Sequence, residues 1–448
     1  MEIVEMIEKA GVVGAGGAGF PTAVKLDAKA NCYIVNAVEC EPLFASDKYL
    51  CRTHPKEILF GALTAAKAIE ASRIVIALKK TYHAEIQSLE KAIAETKAPV
   101  ELFKLAPFYP AGDEQTLVHA ILKKSIPEGG LPLDVGAVVN NVASVYNIGQ
   151  AMQGKAVTHK ILSIVGEVAK PVVLTVPIGT ALTDCLRRAN PLLKEYAVII
   201  GGPMMGRIVT EKESLRGEVV TKTTGNLLVL PPDHYLVRHA VVPIQKLKKQ
   251  AMTACLQCRM CTDLCPRHNI GHRIDPHIIM RNAFKENLLD DETYLRAFGE
   301  AINCCSCGVC EMYACPMGLS PKRMNDYFKG QLRAKGLRLE RNQSPQAIVN
   351  IEHRRIPTER LIARLGLSRY ENQKVTPVTV ESKKVKIPLS LHIGAPAVCV
   401  VKKGDAVSCG TLIGEKNGKI SANIHSSIDG VVVQAEPDYV EIRKGEAK

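Results

Sequence analysis

Short apolar runs alternate with amphipathic stretches over the first 140 residues. Ile3, Val4 and Ile7 stand at helical spacing in Met1–Lys9. Tyr33-Ile34-Val35 then reads as a strand, 55–71 as a helix, Arg73–Leu78 as a strand and 83–96 as a helix. A strand over Val100–Lys104, a helix ending at Lys123 and a strand over Ala137–Val139 complete the series. Apolar positions at a 3.6-residue period predict helices with one buried face, and short continuous apolar runs predict strands buried on both faces. Strand and helix in alternation imply a parallel sheet. The pattern changes near residue 158: Ile161–Val165, Pro171–Val176, Val198–Ile200 and Asn226–Leu230 are short strand-like runs between turns. Helical spacing returns over 276–287 and 291–302. From Val375 the chain turns to strands again, at Val375–Val380, Val385–Ile387, Val398–Val401, Thr411–Gly414 and Val431–Gln434. The fold class is therefore a multidomain combination of α/β and α+β units, with predicted boundaries at 1–155, 156–235, 245–335, a basic linker at 336–374, and 375–448.

Composition narrows this only slightly. The chain has 448 residues, 46% hydrophobic and 23% charged, enough for about three or four domains. No apolar run approaches the roughly 18 residues of a bilayer span, and the acidic, amphipathic Met1–Lys9 lacks the layout of a secretory signal. The formal charge of +13 is concentrated: Lys322–Lys374 holds thirteen Lys/Arg against five Asp/Glu, a net of +8. That stretch reads as a solvated helical linker or as a docking surface for an acidic partner. With no Trp, 4% aromatics and no nucleic-acid fold, nucleic acid is not an expected partner.

Fifteen cysteines change the picture more. Eight fall in two runs, Cys255-x2-Cys258-x2-Cys261-x3-Cys265-Pro266 and Cys304-x2-Cys307-x2-Cys310-x4-Cys315-Pro316, with Cys305 inside the second. Three thiolates at intervals of three can wrap one cubane from a single loop, and the remote Cys-Pro serves the other cluster in two-cluster ferredoxins. Two [4Fe–4S] clusters are thus expected, held by Cys255, Cys258, Cys261 and Cys315, and by Cys265, Cys304, Cys307 and Cys310. Zinc would instead call for two separated C-x2-C pairs, and disulfides are the third alternative. Thiolates kept for metal imply a reducing compartment. The x4 gap is one residue longer than usual, and Cys305 competes with Cys304; register favours Cys304, which alone gives x2 before Cys307. The 38 residues between Cys265 and Cys304 make this a helical module with a long insert. Twelve scattered histidines give no metal site of their own.

Upstream, Gly14-Ala15-Gly16-Gly17-Ala18-Gly19-Phe20-Pro21-Thr22 lets backbone N–H groups approach an anion without Cβ interference. Asn36-Ala37-Val38-Glu39-Cys40-Glu41-Pro42 and Asn140-Asn141-Val142 end predicted strands, where open α/β sheets bind ligands. Gly112-Asp113-Glu114 forms a turn between them.

These four motifs, in this order, resemble the NADH-binding flavoprotein subunit of respiratory complex I and the RnfC component of the Rnf electron-transfer complex. The resemblance implies a Rossmann-like domain that holds FMN and receives NADH. By position, Gly14, Gly16 and Lys25 would serve the FMN phosphate, and Asn36, Glu39 and Glu41 the isoalloxazine side. Gly112, Asp113 and Glu114 would border the nicotinamide, Asn140 and Asn141 would hold the ribityl chain or phosphate, and Glu39 and Glu114 are the candidates beside the reacting ring. Ala15 and Val38 depart from the Arg and Asp of complex I. Residues 156–235 resemble the β-grasp domain that follows in the same families, with Met204 and Met205 read as packing and Cys185 as buried. From Val375, Gly404-Asp405 and Asp429-Gly430 resemble a barrel-sandwich hybrid. Its Glu415-Lys416-Asn417-Gly418 tip suits a plain turn, which leaves Lys416 an ordinary surface residue. The phrase Ile387-Pro388-Leu389 with His392-Ile393-Gly394-Ala395-Pro396 resembles the N-terminal segment of RnfC, moved here to the C-terminus.

That domain order resembles the cobalamin (corrin) reductases of the propanediol-utilisation microcompartment. The resemblance implies an oxidoreductase that passes electrons from NADH through FMN and two [4Fe–4S] clusters to an oxidised cobalamin, cob(III)alamin to cob(II)alamin to cob(I)alamin. An adenosyltransferase and microcompartment shell proteins would be its partners, in a cytoplasmic setting with no membrane span. The alternatives are a component of a membrane-bound Rnf complex and a non-catalytic iron–sulfur relay.

Overall fold

The apolar runs of the first 140 residues form a buried parallel sheet in the structure, a computed structural model that describes residues 2–445. Its strands are β1 (Cys32–Asn36), β2 (Arg73–Lys79), β3 (Glu101–Leu105) and, after the short β4 (Phe108–Tyr109), β5 (Ala137–Asn141). The order is β3-β2-β1-β5, all parallel, with Cys32 to Asn36 in register with both Arg73–Ala77 and Ala137–Asn141. Tyr33, Ile34, Val35, Val75 and Ile76 are fully buried, because helices cover both faces. Two of these, Pro55–Ala68 and Val142–Ala151, cross backbone to backbone: a Cβ on Gly61 would meet the Val145 carbonyl oxygen at 2.1 Å.

The second sheet joins β6 (His159–Gly166), β7 (Val172–Pro177), β8 (Ala197–Ile200), β9 (Arg207–Val209) and β10 (Asn226–Leu230), with the helix Leu182–Ala189 across it. β6 and β7 form an antiparallel hairpin, and β10 runs parallel to β6. Cys185 is fully buried in this core. Residues 244–334 are helices joined by loops, and the expected helices are shorter than the sequence pattern suggests: Pro276–Asn282 and Asp291–Phe298 each pass into a 3-10 segment.

Two expectations need correction. The stretch 336–374 is no solvated linker. Its β11 (Ile356–Pro357) pairs antiparallel with β4, and Leu361, Leu365 and Leu367, in and after the helix Thr358–Arg364, are fully buried. The many Lys and Arg residues between them masked this apolar face in a simple charge count. The strand expected at Val375–Val380 also belongs elsewhere. As β12 (Thr376–Thr379) it pairs parallel with β7, so it closes the edge of the second sheet instead of opening the C-terminal domain.

That last domain stacks two antiparallel sheets. One holds β13 (Lys384–Pro388), β15 (Ala406–Val407), β18 (Gly430–Ala435) and β19 (Tyr439–Arg443); the other holds β14 (Val398–Cys399), β16 (Leu412–Glu415) and β17 (Ile424–His425). It packs on the first domain through one shared apolar core that includes Ile7, Val142, Ile387 and Ile424. Lys416 pairs there with Glu8. No helix among the described residues is long and apolar enough to cross a membrane.

Three units are pinned at Lys222, which is 2% exposed. Its Nζ donates to the Gly11 carbonyl at 2.6 Å and to the Asn423 carbonyl at 2.8 Å, and burial lowers its pKa to about 7. Unfolded, the same amine keeps its ordinary value near 10.5. Between these values the unfolded chain binds the extra proton, so this group's contribution to stability grows with pH from 7 to 10. Denaturation of wild type and Lys222→Met across that range should show the gap in unfolding free energy widening with pH, by at most about 1.4 kcal/mol per unit. A gap that is flat or narrows would contradict the assignment.

Candidate functional site

Strand order reverses between β1 and β5, and ligands of open α/β sheets bind at such a switch point, beyond the carboxyl ends of the strands. The glycine-rich turn lies there. Gly16, Gly17 and Ala18 form its exposed tip, and a Cβ on Gly16 would come within 2.8 Å of the Asn141 side chain. The base of the turn is fixed from three sides. Ser144 Oγ accepts from the Ala15 N–H at 2.8 Å, Lys160 Nζ donates to the Ala15 carbonyl at 2.9 Å, and Ile393 N–H donates to the Gly19 carbonyl at 3.1 Å. Burial brings the Lys160 ammonium down to about 8.

The asparagines are partly committed to the scaffold. Asn36 Nδ2 donates to the Gly112 carbonyl at 2.9 Å. Asn140 is buried and accepts from the Tyr33 hydroxyl at 3.2 Å. Asn141 caps the helix Val142–Ala151 through the Ala143 N–H and donates to Asp47 Oδ2 at 2.7 Å. Asp47 N–H in turn donates to Glu39 at 3.2 Å, and Lys79 Nζ and the Tyr82 hydroxyl each donate to the Glu39 carbonyl at 3.1 Å. Burial, then the Asp47 charge, pushes the Glu39 carboxyl well up. Lys25 and Glu114 form an ion pair at 2.8 Å.

Glu41 faces a different neighbourhood. Its carboxylate accepts from the Met204 N–H at 2.9 Å and is approached by the Tyr109 hydroxyl at 3.5 Å; burial raises its pKa to about 7. Glu39 and Glu41 also line a cavity of about 800 Å³, together with Phe44, Lys79, Tyr82 and Tyr370. The structure therefore brings together Gly16 with Asn141, Asn36 with Gly112, and Lys25 with Glu114, while Glu41 turns toward the cysteine loops. Nothing local in the sequence marks Asp47, Lys79, Tyr82, Tyr109 or Lys160 as site residues. Only their long-range partners mark them. An exposed glycine tip over the switch point, where Gly16 sits too close to Asn141 for a Cβ, and polar strand ends suit a flavin mononucleotide.

Cys255, Cys258, Cys261 and Cys315 ring one space, with Met280 and Leu319 at its wall. Cys265, Cys304, Cys305, Cys307 and Cys310 ring another. A single zinc ion would hold its sulfurs about 3.8 Å apart, and among the described residues no group of three or more His, Cys, Asp or Glu converges on one ion. Four or five thiols lining each space suit a cluster. Backbone and side-chain N–H groups already aim at sulfur: Gln257 Nε2 at Cys255 (3.1 Å), Ser306 N–H at Cys304 (3.3 Å) and Leu319 N–H at Cys315 (3.3 Å).

The two loops have one conformation. Left-handed φ angles occur at Gln257 and Arg259 in the first, and at Ser306 and Gly308 in the second. These positions coincide when Cys255 aligns with Cys304, Cys258 with Cys307 and Cys261 with Cys310, which leaves Cys305 opposite Leu256. The longer x4 gap also has a physical account. Met260–Asp263 is α-helical, whereas Cys310–Ala314 is a π-turn, which accommodates one extra residue.

The two spaces differ in exposure. Cys265, Cys307 and Cys310 are buried, while Cys258 is exposed beside Leu256, 66% exposed. The buried set abuts the first domain: the Tyr109 hydroxyl donates to the Cys307 carbonyl at 2.7 Å.

The chain matches three family models: the Nuo51 FMN-binding domain over 7–150, a 4Fe-4S dicluster domain over 254–320 and the RnfC barrel sandwich hybrid domain over 368–447. "Cobalamin reductase PduS" of Citrobacter freundii is 38% identical over 99% of this chain and 96% of that protein. The protein of the same name from Salmonella typhimurium is 39% identical over 99% and 97%. The chain belongs to the cobalamin reductase PduS family. It is an oxidoreductase with FMN-binding, 4Fe-4S dicluster and barrel-sandwich domains. A component of the ion-translocating oxidoreductase complex of Erwinia tasmaniensis is 30% identical, over 59% of this chain and 32% of that protein. An NAD+-reducing [NiFe]-hydrogenase structure shares the fold, with a TM-score of 0.51 at 21% identity over 77% of this chain and 69% of that one.

The ligand sets predict a clean split between neighbouring thiols. Cys304→Ser should lose one cluster's worth of iron after anaerobic reconstitution, and Cys305→Ser should keep the wild-type iron content. Equal iron loss in both variants would reject the alignment.

Proposed function

We propose that this chain is a reductase that takes electrons from NADH and delivers them to an oxidised cobalamin, reducing cob(III)alamin to cob(II)alamin and cob(I)alamin so that the coenzyme can be rebuilt. The observation that carries the reading is the contact of the 109–114 segment with the buried cysteine loop, through Tyr109 and Cys307. It sets a candidate flavin-binding turn directly against a candidate cluster. When bound, FMN accepts the two electrons of a hydride together and can release them singly, as [4Fe–4S] clusters require.

The chain's residues provide the place for that chemistry. The Gly14–Gly19 turn, with Asn140 and Asn141, holds the phosphate and ribityl end. Asn36 and the Gly112–Glu114 turn shape the ring end, where Glu39 and Glu114 lie nearest the nicotinamide. Lys25 has to leave Glu114 to serve the phosphate. Burial and the Asp47 charge push the Glu39 carboxyl up, and Glu41 steadies the turn against the cysteine loop. Cys265, Cys304, Cys307 and Cys310 hold the inner cluster. Cys255, Cys258, Cys261 and Cys315 hold the outer one, where Cys258 and Leu256 reach the surface.

The Rossmann-like, β-grasp and helical dicluster descriptions belong to this reading, and so do the boundaries, with β12 moved to the second sheet. Near-complete coverage of the PduS relatives, against a third of the Erwinia protein, supports cobalamin as acceptor over a membrane-complex role. An adenosyltransferase and a propanediol-utilisation microcompartment are the partner and setting that follow.

The test is anaerobic reconstitution of the full chain with iron, sulfide and FMN, followed by NADH. The flavin absorbance should bleach, and hydroxocobalamin should then be reduced at least tenfold faster than by free reduced FMN. No bleaching would leave only a relay, and equal rates would remove cobalamin as the dedicated acceptor.

A further inference from the structure

Arg267 follows Cys265-Pro266 directly and is only 8% exposed. Its Nη2 donates to Asp113 Oδ1 at 2.8 Å, across the boundary between the helical domain and the first domain. The two oxygens of Asp113 are divided between tasks. Oδ2 accepts from the Thr116 N–H and hydroxyl, both at 3.0 Å, and so caps the helix Glu114–Leu122. Oδ1 takes the guanidinium. On its other side Arg267 lies against the Cys305 thiol, close to Cys307, and its Nη1 has no hydrogen-bond partner among the described residues. A buried guanidinium with a donor left over is costly in an apolar core. Beside a thiolate-bound cluster, however, the leftover positive charge has a counterpart.

We propose that Arg267 is a positioning residue that ties the 112–114 turn to the Cys265, Cys304, Cys307 and Cys310 centre and biases that centre toward its reduced form. The inference rests on the reading that the eight cysteines hold two clusters. Reduction adds one negative charge to a cluster, and a nearby cation in a low-dielectric setting stabilises the added charge. Asp113 offsets part of that effect. Removing Arg267 therefore disfavours reduction, and neutralising Asp113 favours it. Beside the other centre, bounded by Cys255, Cys258, Cys261 and Cys315, Arg259 and Asp263 pair at 3.8 Å but are exposed to solvent, where screening weakens them; Arg267 does not act on that centre. Spacing along the chain carries little sign of this role, since an Arg after Cys-Pro reads as surface charge.

Redox titration of the reconstituted full chain, followed by EPR, tests this. Arg267→Gln should lower the reduced-to-oxidised ratio of one centre at least tenfold at fixed potential, about 59 mV for one electron. Arg267→Lys, which keeps the charge, should stay within threefold of wild type, and Asp113→Asn should move the same centre the opposite way. The unmoved centre should be the one that Cys258→Ser abolishes. If Arg267→Gln fails to assemble, the upward shift in Asp113→Asn decides. The inference is overturned if no centre moves, if both move together, or if the glutamine and asparagine variants shift in the same direction. Wild-type iron content separates the two levels: a chain that takes up only one cluster defeats the underlying reading, whereas two clusters with no shift defeat the role of Arg267 alone.

Discussion

The hydrogen bond from the Tyr109 hydroxyl to the Cys307 carbonyl is the contact on which the arrangement depends. Tyr109 is almost fully buried, so its hydroxyl must find an acceptor inside the protein. The acceptor belongs to a cysteine loop 198 residues further along the chain. The Glu41 carboxylate stands beside the same tyrosine and accepts from the Met204 N–H. A Cβ on Gly308 would meet the Met204 side chain and carbonyl at 3.3 Å, so the loops interlock with little slack. The first domain, the second sheet and the cysteine module therefore meet at one buried polar knot. Removing any member leaves a desolvated group without a partner, which typically costs about 1–3 kcal/mol.

A second constraint acts on the far side of the first domain. The glycine turn is held by Ser144 and Lys160 and, from the C-terminal domain, by Ile393. Lys222 ties Gly11 to Asn423 a short distance away. The C-terminal domain thus acts as a brace for the turn that would carry the flavin phosphate. A segment that resembles the N-terminus of RnfC can do this from the other end of the chain, because the brace depends on contact and not on chain order. Lys416, paired with Glu8, belongs to the same contact.

Much of the candidate site was legible because its chemistry depends on spacing. Cysteines three residues apart lie on one loop whatever surrounds them, and glycines in a run announce a backbone that something must approach. Strand ends at Asn36 and Asn140 could be placed because the short apolar runs Tyr33–Val35 and Ala137–Val139 stop there. The rest was not legible, because it consists of pairs far apart in sequence. Asp47 with Asn141, Lys160 with Ala15, and Arg267 with Asp113 join residues 94, 145 and 154 positions apart. The same limit explains β12, whose alternation suits any sheet edge, and the buried side of 356–370, hidden among basic residues.

Local pattern was enough to suggest the kinds of unit and the ligands each could offer: a parallel α/β domain with a glycine turn, two four-cysteine sets, and a final β domain. It also favoured Cys304 over Cys305, because loop register is a local property. Three outcomes came from packing between units: which cysteine set faces the first domain, where β12 pairs, and how a π-turn accommodates the extra residue before Cys315. Those outcomes depend on burial and on polar groups finding partners across domains. Spacing along the chain carries no information about either.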